Sequence, residues 1–130
     1  MLTAHGVTHA GHVRKTNEDT LLVDLGLGLF LVADGMGGHT AGDVAAQLAV
    51  DTIQAFVARS RDGDNCTWPF GIDPDSSLAA NRLRSAVQLA NRRVFRASES
   101  RDEYTGMGST VAAVLVEDDR MAFAGVGDSR

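Results

Sequence analysis

Residues 34–39 read Asp-Gly-Met-Gly-Gly-His and directly follow an unbroken apolar run from Leu29 to Ala33. Such a short apolar run is typical of a buried strand. The sequence therefore predicts that a strand delivers the Asp34 carboxylate into a glycine-rich turn. Open α/β architectures usually place their chemistry at strand ends of this kind. Asp34 is the first candidate functional residue.

Two further acidic corners lie beside predicted strands. Glu18 and Asp19 precede one strand, and Asp128 follows the last one. A hairpin between the strand after Asp19 and the strand before Asp34 would bring these two aspartates to the same end of a sheet. Each aspartate alone is more often a turn former or a helix cap, but their shared placement favours a metal site. Oxygen-rich sites without cysteine select hard cations such as Mg²⁺ or Mn²⁺.

The basic and imidazole side chains near these corners have weaker assignments. Arg14 lies five residues ahead of Asp19 in a polar segment. A planar guanidinium can hold two phosphate oxygens at once, which makes Arg14 a candidate phosphate ligand. His39 could act as an acid near a leaving group, but a histidine that closes a glycine turn is the commoner case. No histidine pair has the spacing of a zinc site.

Two nucleotide-binding interpretations of the glycine-rich turn fail on specific residues. A dinucleotide fingerprint needs a third glycine where Thr40 stands. A phosphate loop that starts at Gly37 needs a lysine where Asp43 stands. A negative charge at that position would repel a phosphate.

The remaining pattern predicts an α+β fold. The predicted order is three strands, two helices and two strands. This order favours antiparallel pairing of the strands, with the helices covering one face of the sheet. Expected strands cover residues 3–9, 20–25, 28–33, 110–116 and 121–126; helices cover about 43–59 and 76–98; a loop covers about 60–77.

Composition limits the classes of function. The 130 residues, of which 44% are hydrophobic, suit one domain with a real core and contain no run long enough to span a membrane. The net charge of −5 and the lack of a basic tract argue against a nucleic-acid partner. Five arginines on the second predicted helix are expected to form a solvated face: Arg82, Arg84, Arg92, Arg93 and Arg96. The single Cys66 and the absence of a signal peptide make the cytoplasm the expected compartment.

Four motifs taken together are similar to the early motifs of a known family. They are Arg14-x-x-Asn17-Glu18-Asp19, Val32-Ala33-Asp34-Gly35-Met36-Gly37-Gly38-His39, Gly106-Met107-Gly108-Ser109-Thr110 and Val126-Gly127-Asp128-Ser129-Arg130. Their order and spacing over almost the entire chain resemble the metal-dependent protein phosphatases, the type 2C serine/threonine phosphatase group, in its bacterial form. A chance match to one motif is plausible, whereas a match to all four in order is not.

The resemblance implies an α-β-β-α sandwich with a two-metal centre at one end of the paired sheets. It implies that Asp34 bridges two Mn²⁺ or Mg²⁺ ions, that the Gly35 carbonyl and Asp19 complete the coordination, and that Glu18 acts in the outer shell through water. It assigns the substrate phosphate to Arg14 and a third, weaker metal position to Asp128. Eukaryotic members of the family have a histidine at the position of Met36. The general-acid role implied for that histidine is therefore missing at position 36, and the resemblance does not transfer it to His39.

The implied activity is hydrolysis of phosphoserine and phosphothreonine in proteins by a metal-bridging water attacking phosphorus in line. The expected partners are phosphoprotein substrates of a serine/threonine kinase, with no nucleic acid and no membrane. Residues 1–130 correspond to the amino-terminal portion of one catalytic domain, at about half the family's usual length. The chain alone is therefore expected to be weakly active or inactive. The alternative is a stand-alone, phosphatase-derived regulatory or binding module without turnover.

Overall fold

A computed structural model describes residues 19–37, 41–62, 68, 71–117 and 119–126. These residues form four strands, two long helices and one short 3₁₀ helix. In chain order they are β1 (Asp19–Asp24), β2 (Leu29–Met36), α1 (Ala41–Asp62), α2 (Leu78–Ser100), the 3₁₀ helix (Asp102–Tyr104), β3 (Gly108–Glu117) and β4 (Arg120–Val126).

The strands form one antiparallel sheet in the order β1-β2-β3-β4. Alternate residues of β2 are buried, because Leu29, Leu31 and Ala33 face the two helices. The core therefore lies between the sheet and the helices and includes Ile53 and Phe56 of α1. This agrees with the predicted α+β class and with helices on one face of the sheet.

The opposite side of the sheet, here called the outer face, is mostly apolar. Several large side chains on it are exposed, including Phe123 at 73% and Met121 at 60%. The strand registers place the following residues on it: Leu21, Val23, Phe30, Val32, Asp34, Met36, Thr110, Ala112, Val114, Val116, Met121, Phe123 and Gly125. Asp19 shares this face by position because it pairs with Asp34.

Most predicted elements are present, and the differences lie at their ends. The predicted strand 3–9 falls outside the described residues. β2 does not stop at Ala33, because β3 continues to pair with it as far as Met36 opposite Gly108. The predicted loop begins too early, since α1 continues through residues 60–62. Ser77 caps α2, and its side chain accepts a hydrogen bond from the Ala80 amide at 3.0 Å.

The segment before α2 is held by a compact hydrogen-bond cluster. Asn81 is buried; its Oδ1 accepts from the Asp73 amide at 2.7 Å, and its Nδ2 donates to the Asp73 carbonyl at 2.9 Å. The Asp73 carboxylate accepts from the Asp75 amide and the Ser76 hydroxyl, each at 2.9 Å. The Asp75 amide, followed by Ser76 and the nearby Arg84 guanidinium, lowers the pKa of Asp73 below its usual value.

This shift predicts a small acid sensitivity. A carboxylate whose pKa is lower when folded stabilises the fold fully above its unfolded pKa of about 4, and the contribution is lost as pH falls through the folded value. Asp73→Asn should lower stability slightly at pH 7 and flatten the loss of stability below about pH 4. Urea unfolding at several pH values measures this, with Asp75→Asn as the control because the Asp75 contact uses its backbone amide. An unchanged pH profile in Asp73→Asn would contradict the assignment.

Arg82 is the exception to the expected solvated arginine face. It is only 5% exposed and joins the end of α1 to the end of β3. Its Nε donates to the Ser60 hydroxyl at 2.7 Å, and one terminal nitrogen lies 2.7 Å from both carboxylate oxygens of Glu117. The guanidinium also lies 5.8 Å from the ring centroid of Trp68, which packs edge-on against Phe56. The expectation for Arg82 was wrong because helical periodicity alone does not show which polar positions find a buried partner.

Removal of this guanidinium should be costly. Arg82→Met leaves the Glu117 carboxylate, whose side chain is 11% exposed, with the longer 3.6 Å contact to Arg61 as its remaining ion pair among the described residues. We expect a loss of about 3 kcal/mol in the free energy of unfolding, as for other broken buried ion pairs. The double variant Arg82→Met/Glu117→Leu should recover most of this loss in a urea double-mutant cycle. Arg96→Met, at an exposed residue of the same helix, is the control. An Arg82→Met loss no larger than that of the control would contradict a structural role.

Candidate metal centre

The site is organised by the register between β1 and β2. Asp19 and Asp34 are direct Cα partners in this antiparallel pair. Residues directly opposite each other share a face of the sheet, and their Cβ atoms lie about 5 Å apart. The hairpin predicted from sequence therefore brings the two positions together as expected. Two acidic positions at this separation are a suitable arrangement for holding a shared cation.

Asp34 lies within β2 rather than in a turn after it. Across the other edge of β2 it pairs with Thr110 of β3, whose hydroxyl donates to the Asp34 carbonyl at 3.5 Å. The Asp34 side chain is partly exposed, while its Oδ1 atom is inaccessible to solvent. A shallow open depression beside it is lined by Val32, Thr110, Ala112 and Gly125, among others. Asp34 is thus fixed by sheet pairing on both sides and faces an accessible surface.

The outer face is otherwise uncharged. Among the described positions of this face, Asp19 and Asp34 are the only ionisable residues, and the others are apolar or neutral. Among the described positions, the charge of this face is therefore concentrated at the paired residues.

Gly35 points to the opposite side of the sheet, where it meets the first turn of α1. A Cβ atom at Gly35 would lie 1.8 Å from the Gly42 carbonyl oxygen and 2.5 Å from the Gly42 carbonyl carbon. Only a glycine permits this approach of strand to helix. Gly37, with φ of 151°, similarly has no room for a side chain, since a Cβ there would lie 2.9 Å from that of Ala41. The glycines after Asp34 therefore set how closely α1 docks against the strand that bears the candidate ligands.

The other predicted site residues fall outside the described part of the chain. These are Arg14, Glu18, His39 and Asp128. Within residues 19–37, 41–62, 68, 71–117 and 119–126, no group of three or more acidic, histidine or cysteine side chains is placed to hold a metal. The donors that are described, the Asp34 carboxylate and the Gly35 carbonyl, are hard oxygen ligands that suit Mg²⁺ or Mn²⁺. They fit a divalent cation but do not by themselves complete its coordination.

The sequence matches the model of a known family over residues 8–130, and the family is described as protein phosphatase 2C. The chain belongs to the protein phosphatase 2C family. It is 36% identical over 120 residues to the serine/threonine protein phosphatase PstP of Mycobacterium tuberculosis, covering 92% of this chain and 20% of that protein. It is 33% identical over 130 residues to the serine/threonine phosphatase stp of Listeria monocytogenes, covering 95% of this chain and 46% of that protein.

Solved structures agree with membership of the protein phosphatase 2C family. The catalytic domain of PstP in complex with two manganese ions superimposes with a TM-score of 0.66 at 32% identity, covering 91% of this chain and 44% of that structure. The α+β fold of the phosphatase 2C type is thus confirmed. This member of the family spans less than half the length of each of these three relatives. No helix in the described ranges is both long and apolar enough to cross a bilayer.

Two contributors to the site had no assigned role in the sequence. Thr110 was part of a recognised motif, but only the β2–β3 register shows that it pairs with Asp34. Gly42 was expected only to open a helix, whereas its backbone forms the surface against which Gly35 packs. The sequence offered one indirect sign, a glycine at each of positions 35, 37, 38 and 42. That pattern indicates that backbone segments lie close together, but it does not identify the segments.

Proposed function

We propose that this chain is the amino-terminal portion of a protein phosphatase 2C catalytic domain that hydrolyses phosphoserine and phosphothreonine in proteins. The observation that supports this most strongly is the direct pairing of Asp19 with Asp34 inside the family match. The pairing supplies a geometric basis for ligation at the two positions that the family resemblance assigns to the metal centre. The relatives' names provide the class of substrate.

In this proposal the chain's own residues hold two divalent cations and the substrate phosphate. Asp34, Asp19 and the Gly35 carbonyl would hold the cations, and Glu18 would act in the outer shell through water. Arg14 orients the phosphate through two hydrogen bonds. Bound cations of this kind supply an acidified water and offset the charge that develops on phosphorus. A PstP structure with two manganese ions supports the number and the type of metal.

The finer assignments extend this proposal. Mn²⁺ or Mg²⁺ would serve, and Asp128 would contribute to a third, weaker position. A serine/threonine kinase would produce the substrates, which places the protein in signalling, and the cytoplasm would be its compartment. The support for these points is the bacterial phosphatase family together with the sequence composition.

The test is metal-dependent turnover by two polypeptides. One is the 130-residue chain, and the other carries this chain within a catalytic domain of the length found in its relatives. We expect the longer polypeptide to hydrolyse a phosphothreonine peptide only with Mn²⁺ or Mg²⁺, because the cations would supply the attacking water. The 130-residue chain should bind Mn²⁺ weakly in calorimetry and show little activity, because its described residues do not complete a two-cation site. Robust Mn²⁺-dependent turnover by the short chain, or metal-independent turnover by the long one, would contradict the proposal.

A further inference from the structure

A second concave site lies on the helix side of the sheet, away from the acidic pair. It is a cavity of about 110 Å³ between α2, α1 and the beginning of β3. Its buried walls are apolar and are formed by Ala49, Val87, Ala90, Val94, Met107 and Val111. No charged side chain lines it among the residues that the structure describes.

Small residues leave this space open. Ala49 and Ala90 contribute only methyl groups from the two helices, and Gly108 contributes no side chain from β3. The two polar side chains at the cavity are Asn91, which is exposed on α2, and Ser109, whose hydroxyl already donates to the Thr110 carbonyl at 2.9 Å. Phe95 stands at the mouth with 61% of its surface exposed. An aromatic ring exposed beside an apolar cavity is a suitable surface for covering a ligand.

From this geometry we infer that the cavity is a binding site for a small uncharged ring compound, aromatic or aliphatic. Apolar cavities of about 150 Å³ remain dry and bind benzene, and a half-open cavity of slightly smaller volume can take a single ring with one edge at the mouth. A charged compound is excluded because no described lining residue would compensate the loss of its hydration. An uncharged polar substituent is permitted at the mouth, where Asn91 can donate or accept.

The cavity lies directly behind the strand pair that holds the candidate metal ligands. Its wall residues Gly108, Ser109 and Val111 pair with Met36, Gly35 and Ala33. A ring in the cavity would therefore restrain β3 where it hydrogen-bonds to β2. The backbone amides of Ala33 and Gly35 should report its presence, although they do not line the cavity themselves.

The experiment uses the metal-free 130-residue chain with phenol as the probe and benzoate as the charged counterpart. Thermal unfolding and amide chemical shifts are recorded. We expect phenol to bind with a dissociation constant of about 1 mM and to raise the unfolding temperature by about 5 °C at 10 mM. Amides of Val94, Gly108 and Gly35 should shift with the same titration curve, whereas benzoate should cause neither effect. Neither readout depends on a metal or on turnover, so the result is independent of the proposed function.

A cavity-filling variant tests the location. Ala90→Leu should abolish the phenol effect, and Ala80→Leu, the same change on α2 at a residue outside the cavity, should leave it intact. If Ala90→Leu does not fold, the enlarged cavity of Val94→Ala serves instead and should bind phenol at least as tightly as the parent chain. The inference is overturned if phenol leaves the parent chain unchanged, if benzoate acts equally, or if phenol shifts amides elsewhere and not those around the cavity.

Discussion

Asp34→Asn is expected to remove divalent cation binding and to reduce phosphatase activity on the order of a thousandfold or more in a polypeptide of the relatives' length. The amide keeps the shape of the side chain but loses the charge that would hold the cations in the proposed centre, and electrostatic stabilisation by those cations would be the largest contribution to catalysis. Activity on a phosphothreonine peptide and Mn²⁺ titration by calorimetry measure the two effects.

The same substitution should have little effect on the metal-free fold. Asp19 and Asp34 are direct cross-strand partners, and changes of charge at such positions alter the stability of a sheet by a few tenths of a kcal/mol to about 1 kcal/mol. Asp34→Asn should therefore change the free energy of unfolding of the metal-free 130-residue chain by no more than about 1 kcal/mol. An intact metal-free fold together with a lost metal site distinguishes ligation from a purely structural role.

Asp51→Asn is the matched control, because Asp51 is exposed on α1 and contacts only Gln47 among the described hydrogen bonds. It should change neither metal binding nor activity. If Asp34→Asn bound Mn²⁺ with the affinity of the wild-type protein, Asp34 would not be a metal ligand. A metal-free fold destabilised by well over about 1 kcal/mol would show that the carboxylate has a structural role.

Gly35→Ala is expected to lower the free energy of unfolding by about 3 kcal/mol, as much as Arg82→Met. The added methyl would lie 1.8 Å from the Gly42 carbonyl oxygen, well inside contact distance, and both partners are backbone. The first turn of α1 must therefore move away from β2, and overpacking of this kind in a dense interior costs 1–3 kcal/mol or more. Because the proposed function assigns the Gly35 carbonyl to the metal, we expect cation affinity to fall as well. Urea unfolding measures the first effect and calorimetry the second.

Gly108→Ala is the control for Gly35→Ala. Gly108 lies in the neighbouring strand, and a Cβ there would meet its nearest atom, in the Met36 side chain, at an ordinary 3.8 Å. The change should cost less than about 1 kcal/mol. Equal losses in the two variants would show that the close contact between Gly35 and Gly42 does not limit stability.

The hairpin that carries the two candidate metal ligands could be predicted from the sequence. The apolar run before Asp34, the acidic residues ahead of the preceding strand and the Gly26–Gly28 turn predict a hairpin with two carboxylates at one end, and the β1–β2 register confirms that pairing. These features are local, because a hairpin and its register depend on a few neighbouring residues and on side-chain alternation. The four ordered motifs also identified the family, which the match over residues 8–130 confirms.

Only the tertiary structure decided which distant residues meet. The extension of β2 through Met36 depends on pairing with β3, more than 70 positions further along the chain. The burial of Arg82 depends on Glu117 from β3 and Ser60 from α1, and the necessity of a glycine at position 35 depends on the backbone of Gly42. Periodicity specifies which face of an element is apolar, but it contains no information about the partner that packs there. The sequence thus determined the candidate ligands and the hairpin that presents them, and packing between remote elements determined how rigidly they are held.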